Sequence, residues 1–544
     1  MPRPEPLAYR APSLAEHFAP EGPKRILALD GGGVRGILTL GILERVETLL
    51  RQRHGDDPAF RLCDYFDLIA GTSTGSIIAA LLARGCRVAE AIRLYEDLAD
   101  TVFARRWWRQ GVLLPRYDRR ALVRFLRQEL DFPLGDRERL RTGLLVVTKR
   151  IDTGSPWPIG NNPFGRYFQP RTGNGSIPNS DYPVWKVVRA STAAPTFFAP
   201  EWIEIARRAG AEPVRGNFVD GGVSPHNNPA LQAYLHATLR GFGLRWPGGA
   251  DRLLIVSVGT GRLSAERAPS WISLVSGVTA LQSLMDDCSA LVEGLLQGMG
   301  ACAEPRRIDA ELGDLSPHEL LAEPRFRYLR CDVKLHRDPR PRDGIDDDPL
   351  LEEVLGQGPG ADRCLARMGS MDDPRPLRQL LALGRRAGEA KLRAEHFPAV
   401  FDLPRRADST AAAPEGRRAY RSRPGRSVQA IRLTLATEGL RYRKWGALQT
   451  AKQGDWIVDT GSDVYTVDGE TFARTYRPVG DGRYEKHSTV WAVPATADGV
   501  VPTKEGETHY RAGDYLVCNQ ADGGDTYAVP RAKFEQLYEP AEEG

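Results

Sequence analysis

The chain has 544 residues, 41% hydrophobic and 26% charged, with 74 basic against 70 acidic side chains and a formal net charge of +4. That length exceeds one ordinary domain, and the composition excludes a disordered or fibrous chain. The charge balance argues against a nucleic-acid polymer as partner, and no apolar run reaches the roughly 20 residues of a membrane span.

Residues 1–23 are rich in Pro and charge, lack the apolar stretch of a signal peptide, and are expected to form an irregular leader. The seven cysteines (Cys63, Cys86, Cys288, Cys302, Cys331, Cys364, Cys518) are scattered without a CxxC pair, which fits reduced thiols and a cytoplasmic location. From 24 to 403, short apolar runs alternate with helical patterns, so an α/β domain with a largely parallel sheet is expected. Its candidate strands are Arg25–Leu29, Asp67–Ala70, Leu144–Thr148, Asn217–Val219 and Leu253–Val258. The clearest helix carries Ile42, Leu43, Val46, Leu49 and Leu50 at helical spacing. Ser283–Gly300 reads as a further helix, core in preference to lid. Arg105-Arg106-Trp107-Trp108-Arg109 has the composition of a lipid headgroup boundary, or of ordinary packing with solvated arginines. Residues 404–426, broken by prolines and rich in arginine, read as a linker.

Beyond it, residues 427–544 are expected to form a small β-rich domain with an internal repeat. Gly454-Asp455-Trp456-Ile457-Val458, Tyr465, Phe472 and Tyr476 recur as Gly513-Asp514-Tyr515-Leu516-Val517, Tyr527, Phe534 and Tyr538. The aromatic pattern is most simply a core pattern. No catalytic or metal-ligating constellation is visible there, so a regulatory or targeting role is the expectation.

Three segments carry chemistry. The first is Asp30-Gly31-Gly32-Gly33-Val34-Arg35-Gly36, between a strand and a helix. Such a turn brings backbone N–H groups and a helix N-terminus to a ligand, which suits an oxyanion hole. Arg35 either adds positive charge there or caps and packs. The same residues satisfy G-x-G-x-x-G, a weak signal for a dinucleotide, whose ribose partner would have to be Asp56 or Asp57. The second is Gly71-Thr72-Ser73-Thr74-Gly75, strand before and helix after, the context of a nucleophile elbow. The third is Phe218-Val219-Asp220-Gly221-Gly222. Asp220 is either the base for Ser73 or an Asp that caps a turn, and His226 leaves a Ser-His-Asp arrangement open.

Together these segments, with Ala190–Phe198 and Asn227-Asn228-Pro229, resemble the patatin-like phospholipase family over roughly residues 24–390. The resemblance implies a three-layer α/β/α fold followed here by the small β-rich domain. It implies Ser73 as nucleophile, Asp220 as base, an oxyanion hole from Gly31, Gly32, Gly33, Val34 and Arg35, and an elbow set by Gly71 and Gly75. It implies no catalytic histidine, no metal and no cofactor. The substrate implied is membrane phospholipid, met by peripheral contact at the inner membrane. The catalytic half also looks like bacterial anti-phage effectors, some switched on by cyclic nucleotides. A nucleotide second messenger or protein activator is therefore expected, and self-association is left open. The alternatives are a non-catalytic lipid-binding scaffold and a dinucleotide-binding oxidoreductase.

Overall fold

The computed structural model describes residues 9–541 except 103–118, 170–174, 196, 208–209, 264–286, 307–312, 314, 316–320, 338–348, 405–417, 424–426, 435–439, 445–446, 452, 460, 462–463, 468, 487–488, 497–498, 504–505 and 519–525. It divides into two compact units, Met1–Arg406 and Ala407–Gly544.

The first unit is built on a nine-stranded sheet. Its strands are β1 (Lys24–Leu29), β2 (Leu68–Thr72), β3 (Gly143–Arg150), β4 (Ser155–Gly160), β5 (Glu201–Ala206), β6 (Val214–Asp220), β7 (Leu253–Val258), β8 (Ala301–Cys302) and β9 (Arg327–Cys331). The order is β5-β6-β3-β2-β1-β7-β9-β8, with β4 on the other edge of β3. All five strands expected from the sequence are present. The sheet is parallel from β3 through β8 and antiparallel where β4, β5 and β6 join.

The central strands are apolar at successive positions because both faces are covered. Leu27, Leu29, Ile69 and Val256 enter one core with the helices Gly36–Arg53, Thr74–Ala83 and Leu377–Lys391. Ile26, Ala28, Leu68 and Ile255 enter a second core with helix Ala230–Thr238 and with Val292 and Leu296 of a helix over 287–299. Three layers result. In that last helix Leu291 is exposed and Leu295 half-buried, so only one side of the expected core helix packs; Leu284 and Met285 lie outside the described residues, as do Arg105–Arg109.

The position of the site follows from how β3 is shared. Parallel pairing with β2 stops at Thr72↔Val147. Antiparallel pairing with β6 takes up the same edge at Thr148↔Asp220. Strands β2 and β6 therefore run toward each other and end tail to tail, bringing Ser73 and Asp220 together. Gly221 is needed at this junction, since a Cβ there would stand 2.3 Å from Val147 O.

The second unit corrects the expected linker: Arg418–Ser422 is a strand, not tether, pairing with Val490–Pro494 and Tyr538–Pro540. Two five-stranded antiparallel sheets make up the repeat. In the first, Trp456 stacks on Phe472, Phe472 on Tyr476, and Tyr484 meets Phe472 edge-on. In the second, Tyr515, Phe534, Tyr538 and Tyr420 repeat that arrangement. Tyr420 thus stands where Tyr484 does, so the second copy is completed by a strand that precedes the first. Polar side chains hide this strand from a hydrophobicity reading, because Arg418 and Arg421 point to solvent.

Candidate active site

After β2 the chain turns sharply, and Ser73 takes φ 53° and ψ −128° before helix Thr74–Ala83 begins. Positive φ is costly for a residue with a side chain and persists only where neighbours impose it. Here they do. The Ser73 amide donates to Ser191 Oγ at 2.8 Å, Ser191 Oγ donates to Val147 O, and Ser76 Oγ donates to Ser73 O at 2.6 Å. A Cβ at Gly71 would stand 2.3 Å from Gly75 O, and one at Gly75 2.3 Å from Leu29 O, so the elbow admits only glycine at both.

Ser73 Oγ donates to Asp220 Oδ2 at 2.6 Å, and Asp220 Oδ1 accepts the Gly222 amide at 2.7 Å. Asp220 is 5% exposed. Burial pushes its pKa up to about 6, against the opposing hydrogen bonds from Ser73 and Gly222 and the charge of Arg189. Arg189 is fully buried and donates to Ala199 O, and nothing in its sequence context marked it out. His226 enters through its backbone, accepting from Thr72 Oγ1 at 2.7 Å. Among the described residues no histidine bonds Ser73 or Asp220.

In the glycine turn most amides are engaged. Gly31 N–H donates to Asn227 O at 3.2 Å, Gly32 N–H to Thr74 Oγ1 at 3.2 Å, Val34 N–H to Met371 O at 2.8 Å and Arg35 N–H to Gly32 O at 3.2 Å. Of the five residues expected to face an oxyanion, only Gly33 keeps an amide without an acceptor among the described residues. Thr74, at the helix N-terminus beside Ser73, has another. Arg35 is buried, and its guanidinium holds Gly32 O and Gly261 O, so it braces the turn. Asp30 makes a two-pronged pair with Arg330 at 3.0 and 2.6 Å, anchoring the strand end from which the turn departs. Gly33, at φ 60°, lies against Met371, whose carbonyl would be 2.0 Å from a Cβ there. Neither Met371 nor Arg330 belongs to a motif that a local reading finds.

The pair faces a cavity whose empty volume, including its open mouth, is about 1050 Å³. Ile77, Leu98, Val102, Leu122, Phe197 and Phe198 give it an apolar wall, and Gly33, Thr74, Ser73 and Asp220 share its floor. Such a chamber accepts an aliphatic chain with an ester at the polar end. The dinucleotide alternative fails on geometry. Asp56 and Asp57 lie past the C-terminus of helix Gly36–Arg53, roughly 27 Å of helical rise from the glycine turn. Among the described residues no group of His, Cys, Asp and Glu has metal-holding geometry.

Residues 27–234 match the family model described as patatin-like phospholipase. The chain is 30% identical to patatin-like protein 1 of Arabidopsis thaliana, over 45% of this chain and 62% of that protein. It is 29% identical to a cGAMP-activated phospholipase of Vibrio cholerae, over 50% of this chain and 73% of that one. It is also 27% identical to a probable inactive patatin-like protein 9 of Arabidopsis thaliana, over 48% and 67% of the two chains. Among solved structures, human GIVD cytosolic phospholipase A2 aligns with a TM-score of 0.33 at 14% identity, covering 70% of this chain and 60% of that one. Motifs, fold and family match coincide: residues 27–234 form a patatin-like phospholipase domain.

Proposed function

We propose that this protein is a serine lipid acyl hydrolase that cleaves membrane phospholipid esters with Ser73 as nucleophile and Asp220 as base. The observation that carries the reading is the 2.6 Å Ser73–Asp220 hydrogen bond on the floor of an apolar cavity. Overall similarity would not decide it, since one relative is named as probably inactive.

Asp220 takes the Ser73 proton as Oγ attacks the ester carbonyl, and the amides of Gly33 and Thr74 stabilise the oxyanion. Collapse expels the lysolipid oxygen, which recovers the proton from Asp220, and leaves the acyl chain on Ser73. Water then gives a proton to Asp220, attacks the acyl carbonyl, and releases fatty acid as Ser73 is reprotonated. A carboxyl near 6 is mostly ionised at neutral pH yet more basic than an exposed aspartate, which suits it to this exchange.

Similarity to a cGAMP-activated phospholipase supports a further element of the proposal: a gated, defence-type effector switched on by a nucleotide second messenger. The proposal has the lipid reached peripherally; among the described residues no helix is long and apolar enough to cross a membrane. The test is release of free fatty acid from bacterial phospholipid vesicles, with and without a panel of cyclic nucleotides. Release that disappears in Ser73→Ala supports the hydrolase. Equal release by both chains would remove Ser73 from the mechanism, and membrane binding without release under any condition would favour a scaffold.

A further inference from the structure

The Gly33 amide, on the cavity floor, belongs to a peptide with glycine on both sides. With no Cβ at either end such a peptide turns over at little steric cost, so its direction depends on what grips its neighbours. Arg35 holds Gly32 O before it. After it, the Gly33–Val34 peptide is gripped at both ends: Val34 N–H donates to Met371 O at 2.8 Å, and Gly33 O accepts the Tyr95 hydroxyl at 2.5 Å. Tyr95 comes from helix Val88–Val102, outside all three motifs, and is 1% exposed. Its hydroxyl sits where a side chain at position 36 would go, 2.4 Å from a Cβ built on Gly36. Burial pushes the phenol pKa up, and hydrogen bonding to the Thr74 side chain and the Gly36 backbone opposes that rise. Thr74 Oγ1 in turn accepts the Gly32 amide at 3.2 Å. One buried phenol thus touches both segments that supply the oxyanion amides, the glycine turn and the N-terminus of helix Thr74–Ala83.

We propose that Tyr95 is a positioning residue for the oxyanion hole: its hydroxyl fixes Gly33 so that the Gly33 amide points at the developing oxyanion, at a set distance from the Thr74 amide. This role for Tyr95 rests on the hydrolase reading above. Packing alone does not ask for the hydroxyl, because a phenyl ring fills the same core. Nor does Gly33 O need it for want of a donor, since the Gly36 amide also reaches that oxygen. What the hydroxyl adds is direction, and a misplacement of ~1 Å at a reacting centre costs ~10²-fold in rate. The same helix face carries Leu98 and Val102, which line the acyl wall of the cavity. The element that the acyl chain touches is therefore the one that holds the turn.

The test compares the native full chain with Tyr95→Phe on a soluble short-chain ester, with the melting temperature as the control for folding. kcat is expected to fall ~10-fold or more with KM within about twofold, and the melting temperature to stay within a few degrees. An alkyl boronic acid supplies a second reading: Ser73 Oγ adds to boron, its proton passes to Asp220, and the tetrahedral anion occupies the oxyanion hole. Its affinity should fall by about the factor lost from kcat/KM, whereas that of an uncleavable ether analogue of the ester should be unchanged. A structural role alone would weaken both ligands together or lower the melting temperature without this split. Unchanged kcat, or equal losses for boronic acid and ether, would overturn the proposal and leave the hydrolase standing. No turnover and no boronic acid binding by the native chain, with or without cyclic nucleotides, would instead overturn the hydrolase reading and the role of Tyr95 with it.

Discussion

Ser73 and Asp220 are each held in a state they would not adopt alone, one in backbone strain and the other in desolvation. The Ser73 turn depends on Ser191, whose hydroxyl accepts its amide. Ser191→Ala leaves a buried N–H without an acceptor, a loss of ~1–3 kcal/mol. It should lower kcat with KM little changed, read in steady-state kinetics on a soluble ester. For Asp220, a folded pKa of about 6 against an ordinary 3.8 means the native state binds its proton more tightly than the unfolded chain. That difference favours the fold below about pH 4, fades between 4 and 6, and is absent above. Relative to Asn, an ionised buried carboxylate thus weakens the protein at neutral pH. Asp220→Asn should lose ~10²–10⁴ in kcat yet melt no lower than the native chain at pH 7.5, with the comparison shifting toward the native chain near pH 4. In the native chain kcat should rise with pH through about 6, and a flat profile there would take the base role from Asp220. The sequence displayed Ser73 and Asp220 through their glycine neighbours. It did not display Arg189 or Met371, because their roles arise only from packing between distant segments.

Among elements, what was legible was what is local. Strand–turn–helix at Gly71–Gly75 and a two-sided apolar strand at Lys24–Leu29 announce themselves in a few residues. The tail-to-tail ends of β2 and β6 do not, since they require β3 to pair with each over different residues. The same holds for helix Leu377–Lys391, which presses on Gly36–Arg53 far along the chain. A Cβ at Gly384 would stand 2.2 Å from Leu38 O, and one at Gly41 2.7 Å from Leu381 O. Gly384→Val should force these helices apart at a cost of ~1–3 kcal/mol or more. It should lower the melting temperature by several degrees, and because Met371 supports the glycine turn just ahead of this helix, reduce kcat as well.

At the scale of the whole molecule, the boundary between units is set by strand pairing and not by composition. A polypeptide starting at residue 427, where alternating strands begin in the sequence, lacks Arg418–Ser422 and with it Tyr420, which packs edge-on against Phe534 at 4.9 Å. It should unfold at low urea with a broad transition, whereas one starting at 407 should unfold cooperatively. A chain ending at Arg406 holds every residue of the Ser73–Asp220 cavity and should keep its activity on a soluble ester.

The central claim is that Ser73 is a nucleophile made reactive by Asp220. Reaction with a fluorophosphonate bearing a long acyl-like chain, followed by intact mass and peptide mapping, tests it directly. The account predicts one adduct, on Ser73, formed far more slowly in Asp220→Asn. An adduct on another residue, or equal rates in the two chains, would contradict it.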